Sequence, residues 1–202
     1  MPPKPKFTRE EVVSAALELV SEHGMDALTS RSLGARLGSS ARPIFTVFRS
    51  MEEVQQEVRR AAMARFEACA EKAMAYTPAF KQLGMQMILF AVEEPRLYQL
   101  LFMAGDGTAH DFDQVLARLG RPAAVCMEVL RSDYGLSTEE AGALFRHVWI
   151  YTFGVGALCA TGMCLFSAEE INELLGQDFM AMLARIKSCQ AEAPTPRPAL
   201  KK

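Results

Sequence analysis

Histidine and cysteine, from which most metal sites and many catalytic centres are built, are few and scattered in this sequence. The 202-residue chain has His23, His110 and His147, and its five cysteines (Cys69, Cys126, Cys159, Cys164, Cys189) include no CxxC pair. With no metal-ligand spacing, no glycine-rich phosphate loop and no nucleophile motif, the sequence gives an enzyme little to work with, and neither a metal nor a cofactor is expected. An odd cysteine count, and no secretory-type segment ahead of the cysteines, point to the reduced cytoplasm. There the cysteines serve as small apolar residues. Cys159 and Cys164 lie five apart, a poor helical spacing for a shared bridge or ion. Sustained period-two alternation is missing too, which argues against a sheet and predicts an all-α fold. A 50% apolar content excludes a disordered chain.

Negative charge is absent where it matters most. The chain as a whole carries a formal charge of -2, yet residues 1–66 hold ten Lys or Arg against eight Asp or Glu. From Thr29 to Arg49 there are four arginines (Arg31, Arg36, Arg42, Arg49) and no acid, the one basic island of consequence. A second uncharged stretch, Val148 to Ala168, runs for 21 positions and is long enough to span a bilayer. Three glycines (Gly154, Gly156, Gly162), no flanking Lys or Arg cluster, and acids at Glu169 and Glu170 favour instead a buried helix of a soluble protein.

Helix starts are legible from Ser or Thr followed three residues later by Glu: Thr8 with Glu11, Ser50 with Glu53, Ser137 with Glu140 and Ser167 with Glu170. Helices are expected over Thr8–His23, Thr29 or Ser30 to Leu37, Ala41–Phe48 and Met51–Ala75. Further ones are expected near Pro78–Val92, Pro95–Ala104, Asp111–Leu119, Pro122–Tyr134, Thr138–Gly162 and Ala168–Gln190. The expected division is a helix-turn-helix domain over 1–58 with a flexible arm 1–6, a helical effector and dimerisation domain over 59–190, and a disordered tail over 191–202.

Gly38, Ser39 and Ser40 join two short helices, the arrangement that lays one helix across DNA phosphates and the next in the major groove. On a helix from Ala41 to Phe48, capped by Ser40, Ile44 and Phe48 fall on one side as an apolar anchor. Arg42, Thr46 and Arg49 fall opposite, with Pro43 at the edge. Arginine pairs with guanine, and Thr or Pro touches a thymine methyl. Thr29, Ser30, Arg31 and Arg36 are placed for phosphate. Lys4 and Lys6 either solubilise the arm or reach a groove or phosphate.

The segments AALELVSEHG, ALTSRSLGARLGSS, IFTVF and SMEEV, between Thr8 and Val58, resemble the DNA-binding domain of the TetR family of bacterial transcriptional regulators. Phe45 stands where that family usually has a phosphate-touching Tyr, Val47 where His or Tyr is frequent, and Met51 where a Lys commonly meets the backbone. Each lost contact lowers the salt dependence of binding, and compensation falls to Arg42, Arg49 and the lysines of the arm. Beyond Arg59 the resemblance is weak in letters, although Trp149, Phe153, Gly154 and Leu158 are similar to a motif of some members, with Phe153 replacing a common His. The family architecture implies an effector cavity among the middle helices and a homodimer made by the last two.

For the effector, the concentration of methionines and aromatics singles out Met85, Met87, Phe90, Tyr98, Phe102, Met103, Phe112 and Met127, joined by Trp149 and Phe153, with Glu93, Glu94, Arg96 and Arg118 as charged candidates to orient it. Such a stripe is more often plain core. For dimerisation the candidates are Gly154, Gly156, Ala157, Ala160 and Thr161, where backbones can approach closely, and the stripe Ile171, Leu174, Leu175, Phe179, Leu183 and Ile186; ordinary intrachain core is the competing reading. The expected protein is thus an effector-responsive regulator, a repressor that binds an inverted repeat of double-stranded DNA as a dimer and is released by a small, largely apolar ligand. The rival is a helical binding protein of the same fold with weak or lost DNA affinity.

Overall fold

Capping and apolar spacing set the helices. In a computed structural model, which describes residues 5–74, 79–105, 111–117 and 121–191, the order is α1 (Arg9–His23), α2 (Ser30–Arg36), α3 (Met51–Met74), α4 (Ala79–Glu93), α5 (Pro95–Tyr98), α6 (Phe112–Ala117), α7 (Arg121–Tyr134), α8 (Thr138–Ala160) and α9 (Ala168–Ala191). No strand occurs among the described residues. Lys4, Arg118 and the tail beyond Ala191 lie outside them. The capping boxes of Thr8, Ser137 and Ser167 each form both reciprocal bonds. At Ser50 the box slips by one residue: the hydroxyl accepts the Glu53 N–H at 3.4 Å, while the Glu53 carboxylate takes the N–H of Arg49 at 2.6 Å. Thr29 forms a further box with Ser32, hidden from a search for Glu because a serine does the returning.

Two expected helices take a different form. The stretch Ala41–Phe48 is no α-helix but turns closed by i→i−3 bonds, with a 3-10 segment over Ile44–Thr46. Pro43, the β-branched Ile44 and Val47, and Thr46, whose hydroxyl donates to the Pro43 carbonyl at 2.6 Å, keep an α-helix from propagating. Ser40 therefore caps nothing, the turn having no side-chain cap. The expected Pro95–Ala104 helix changes gauge after Tyr98 and runs as a π-helix over Gln99–Met103, with the Ala104 N–H on the Gln99 carbonyl. External bonds hold that irregular turn: Arg59 donates to the Leu100 carbonyl at 3.1 Å, and the Gln99 amide donates to the Ala160 carbonyl at 2.6 Å.

One apolar core runs from Val12, Ala16 and Val20 of α1 through Leu33, Ile44 and Phe48 to Ile88, Leu97, Tyr98, Val155 and Ile171, crossing the expected boundary at residue 58 without a break. A second cluster joins Phe80, Cys126, Leu130, Leu144, Phe145 and Leu183. Helix α8 is long and apolar enough to cross a membrane by length and composition. Here it packs against α4, α7 and α9, with Arg146 and His147 on its exposed side. Cys126 and Cys159 are buried, and burial pushes the Cys126 thiol up to about 12.

The tightest joint in this core is Tyr98 against Gly156. Tyr98 is fully buried, donates its hydroxyl to the Phe153 carbonyl at 3.2 Å, and would stand 2.5 Å from a Cβ at position 156. Gly156→Ala is expected to cost about 1–3 kcal/mol by overpacking, and Tyr98→Phe about 0.5–1.5 kcal/mol for the lost bond. In the double variant part of the alanine cost disappears with the hydroxyl. Urea unfolding of the four proteins measures this coupling, and strictly additive losses contradict it.

Candidate nucleic-acid interface and effector cavity

The turn after α2 presents a small face. Ile44 and Phe48 are buried, while Arg42, Phe45, Thr46 and Arg49 are exposed, so the side-chain division expected of an α-helix is kept by the tighter 3-10 turn. Arg31, Ser40 and Thr29 are also exposed and Ser30 and Pro43 half-buried. Arg31 and Arg42 have no ion-pair partner among the described residues. Phe45, at 45% exposure, turns an apolar ring outward. Val47 is packed against the core, as is Met51. Thr29 spends its hydroxyl on capping α2. Lys6 donates to the Ser39 hydroxyl at 3.0 Å, which lays the arm beside the turn.

Arg36 is less free than its position implies. Its guanidinium is clasped in a bidentate pair by Glu22 of α1, at 2.6 and 2.7 Å, and the Glu22 carboxyl is held below its ordinary range by that pairing. A phosphate would have to compete with Glu22 for this side chain.

Arg9, which no motif of the sequence singles out, holds the face in place. Its guanidinium donates to the Val47 carbonyl at 2.9 Å, pairs with Glu53 at 2.8 Å and Glu57 at 3.0 Å, and lies 4.2 Å from the centre of the Phe48 ring. The two carboxyls are pulled down, Glu53 chiefly by the Arg49 N–H and then by Arg9, Glu57 chiefly by Arg9. A signal existed: a cation in the first turn opposes the helix dipole, so a tertiary partner was to be expected.

The middle helices enclose an apolar cavity of about 50 Å³ between α3, α4, α7 and α8, walled by Phe66, Phe80, Leu83, Gly84, Met87, Pro122, Ala123, Cys126, Phe145, Val148, Trp149 and Thr152. Of the residues expected around an effector, only Met87 and Trp149 line it. Phe90, Tyr98 and Phe102 are packing instead: Phe66 meets Phe90 and Phe102 edge-on, and Tyr98 lies against Phe102 and Phe153. Met103 is exposed, and Met85 and Phe153 pack against the core, as Met127 does against the second cluster. Phe112 stands edge-on to Trp149, which stacks on Phe153. The indole N–H of Trp149 is buried without a partner among the described residues. The charged candidates look elsewhere: Glu94 is taken by Ser21 and Arg65, and Arg96 reaches Gln99 at 3.4 Å.

The expected dimer residues divide sharply. Gly156, Ala160, Ile171, Leu175 and Leu183 are buried inside the chain. Gly156 receives Tyr98, and Ala160 gives its carbonyl to Gln99. Ala157, Leu174, Phe179 and Ile186 are half-buried, and Gly154 and Thr161 are exposed. The small residues of α8 thus serve mainly an internal approach. What remains outward is Ala143, His147, Ile150 and Gly154 on α8 and Gln177, Met180 and Ala184 on α9, with Ile150 at 53% and Met180 at 60% exposure.

Comparison with known families decides the assignment. Residues 80–185 match the family described as tetracyclin repressor-like, C-terminal domain, and residues 12–58 match the bacterial regulatory proteins of the tetR family. The chain belongs to the TetR family. It is accordingly a DNA-binding transcriptional regulator with an N-terminal helix-turn-helix and a helical C-terminal domain. Among solved structures, a transcriptional regulator from Rhodococcus sp. Rha1 is 15% identical with a TM-score of 0.61, over 89% of this chain and 97% of that one. The fatty acid degradation regulator FadR from Bacillus halodurans is 14% identical with a TM-score of 0.57, over 91% and 97%. A TetR variant from Acinetobacter baumannii in complex with minocycline is 18% identical with a TM-score of 0.56, over 91% and 98%. At such identities the likeness is one of fold. No curated protein matches the sequence.

In this TetR-family chain the Glu22 clasp yields a prediction. Glu22→Gln frees Arg36, so the slope of log affinity against log salt on a generic duplex should steepen by about 0.9. Fluorescence anisotropy across a salt series reads the slope, and an unchanged value means that Arg36 does not reach phosphate even when released.

Proposed function

We propose that this protein is an effector-responsive repressor that binds an inverted-repeat operator as a homodimer in the cytoplasm and is released by a small, largely apolar ligand. The observation that carries the reading is the acid-free face of Arg42, Phe45, Thr46 and Arg49, anchored from behind by Ile44 and Phe48 and clamped by Arg9. A dimer sets two such faces about 34 Å apart, one turn of DNA, so that each reads a half-site. Arg42 and Thr46 are assigned to base edges; Arg31, Arg49, Ser30 and Ser40 to phosphates; and Lys6, with Lys4, to the flank. An exposed Phe45 in place of a tyrosine supplies apolar contact and no hydroxyl, which shifts specificity toward shape and thymine methyls.

The ligand is assigned to the apolar cavity, whose only hydroxyl is Thr152 and whose buried indole N–H is unused. Release requires that the ligand prefer an arrangement that does not fit DNA, and by reciprocity DNA weakens ligand binding by the same factor. The outward α8 and α9 surface around Ile150 and Met180 is assigned to the dimer.

Arg42→Ala should lower operator affinity by about 1–3 kcal/mol and relax one base preference. Gel shifts with DNA upstream of the reading frame test this, and undiminished affinity moves the reading to a helical binding protein with no use for DNA. Ile150→Glu should leave the fold intact, since the side chain is mostly exposed, while sedimentation shows a monomer and operator affinity drops more than about tenfold through lost bivalency. A stable dimer in that variant places the interface elsewhere.

A further inference from the structure

A second cavity, of about 200 Å³, lies beside the first and shares Phe80, Gly84 and Val148 with its wall. The two differ in chemistry. The inner chamber holds no charge. The outer one is bounded by Lys81 of α4, Tyr134 at the end of α7, and Leu175, Gly176, Phe179 and Met180 of α9.

Lys81 is half-buried there and has no carboxylate partner among the described residues. Its ammonium stands 3.5 Å from where a Cβ at position 176 would lie, so Gly176 gives it space against α9. Tyr134 packs edge-on against Phe179 and is kept protonated by burial and the nearby Asp133, so its hydroxyl is available to donate. Asp133 itself is exposed and occupied by the Ser132 hydroxyl at 2.8 Å. Between the chambers stands Gly84, where a side chain would meet Leu175 at 3.3 Å and Thr152 at 3.7 Å. The absence of a side chain at that point thins the partition.

An ammonium with no carboxylate beside it, set at the edge of an apolar cavity, is matched by an anion that brings its own apolar body. Resting on the effector reading above, we infer that the ligand is an amphiphilic carboxylate: its head on Lys81 and the Tyr134 hydroxyl, its hydrocarbon tail turned past Gly84 toward Phe66, Met87 and Trp149. A neutral apolar compound would fill the inner chamber and leave Lys81 unpaired. A cationic amphiphile would be repelled.

Trp149 is the one tryptophan of the chain and lines the inner chamber, so its emission reports occupancy of the tail site directly. The full-length protein is titrated with decanoate, 1-decanol and decyltrimethylammonium. Decanoate is expected to bind about tenfold or more tighter than decanol, the worth of one charge-assisted bond, and the ammonium compound weakest. Lys81→Gln should bring decanoate and decanol within about twofold of each other with decanol unchanged, and Lys81→Glu should reverse the order toward the cation. Far-UV circular dichroism confirms that the variants, altered at a half-exposed position, remain folded. If decanol equals decanoate, or the preference survives Lys81→Gln, the head-group assignment is wrong while the apolar-effector reading stands. If no probe perturbs Trp149, both are wrong.

Discussion

The segment from Glu94 to Phe102 is where the helices of the helix-turn-helix region and those of the C-terminal domain are fastened together. Glu94 receives the Ser21 hydroxyl of α1 at 2.5 Å and the Arg65 guanidinium of α3 at 2.6 Å, and Arg65 also reaches Glu18 of α1 at 3.4 Å. Four residues on, Tyr98 drives its ring against Gly156 of α8, and Phe102 meets Phe66 of α3. A mostly buried carboxylate serving two helices, followed by a fully buried phenol serving a third, leaves this joint few alternative packings. The change from α to π geometry after Tyr98 follows from the same demand. Within a few residues the chain must direct Tyr98 at α8, the Leu100 carbonyl at Arg59 and the Gln99 amide at Ala160.

Much of this was legible in the sequence, and the physics explains which parts. Helix starts marked by Thr8, Ser137 and Ser167 are local events, decided by a hydroxyl and a carboxylate three residues apart, and the structure keeps them. The burial of Ile44 and Phe48 opposite Arg42, Thr46 and Arg49 was also readable, because the Phe48 N–H still bonds the Ile44 carbonyl at 3.0 Å and keeps these two residues one α-turn apart, although the turn between them is 3-10. The tightening itself depended on Pro43 and on the Thr46 hydroxyl competing for a carbonyl, and apolar periodicity carries no record of either.

Less was readable where two elements had to be paired. Gly156 and Ala160 look like surfaces for a second subunit because small residues permit close approach wherever it occurs; that the approach is to Tyr98 of the same chain depends on the α5 to α8 contact. The methionine and aromatic stripe met the same ambiguity. Phe90, Tyr98 and Phe102 are as suitable for packing on one another as for lining a cavity, and the residues that do line it include Gly84, Ala123, Cys126 and Thr152, chosen for smallness. A cavity exists where bulk is missing, and a search for bulk finds its surroundings. Arg36 illustrates the electrostatic version: basic in a window without acids, it is nonetheless neutralised by Glu22, seven residues outside that window.

Helix α3 gives these separate facts a mechanical relation. Its first turn is held to the recognition turn by Arg49, Glu53 and Arg9, and about 22 Å further along, at 1.5 Å per residue, Phe66 forms part of the cavity wall. Between them Arg59 is bonded to the Leu100 carbonyl, and just before Phe66 Arg65 is bonded to Glu94. In the effector reading proposed above, a ligand that displaces the Phe66 ring acts on a helix that shares one core with Ile44 and Phe48. The Arg65–Glu94 pair anchors the helix near the cavity, and Arg9 with Glu53, Glu57 and the Val47 carbonyl anchors it at the other end. Because the core is continuous from Val12 to Ile171, the proposed ligand would need only a difference in packing, with no polar contact to DNA-binding residues, to change how the recognition face is offered.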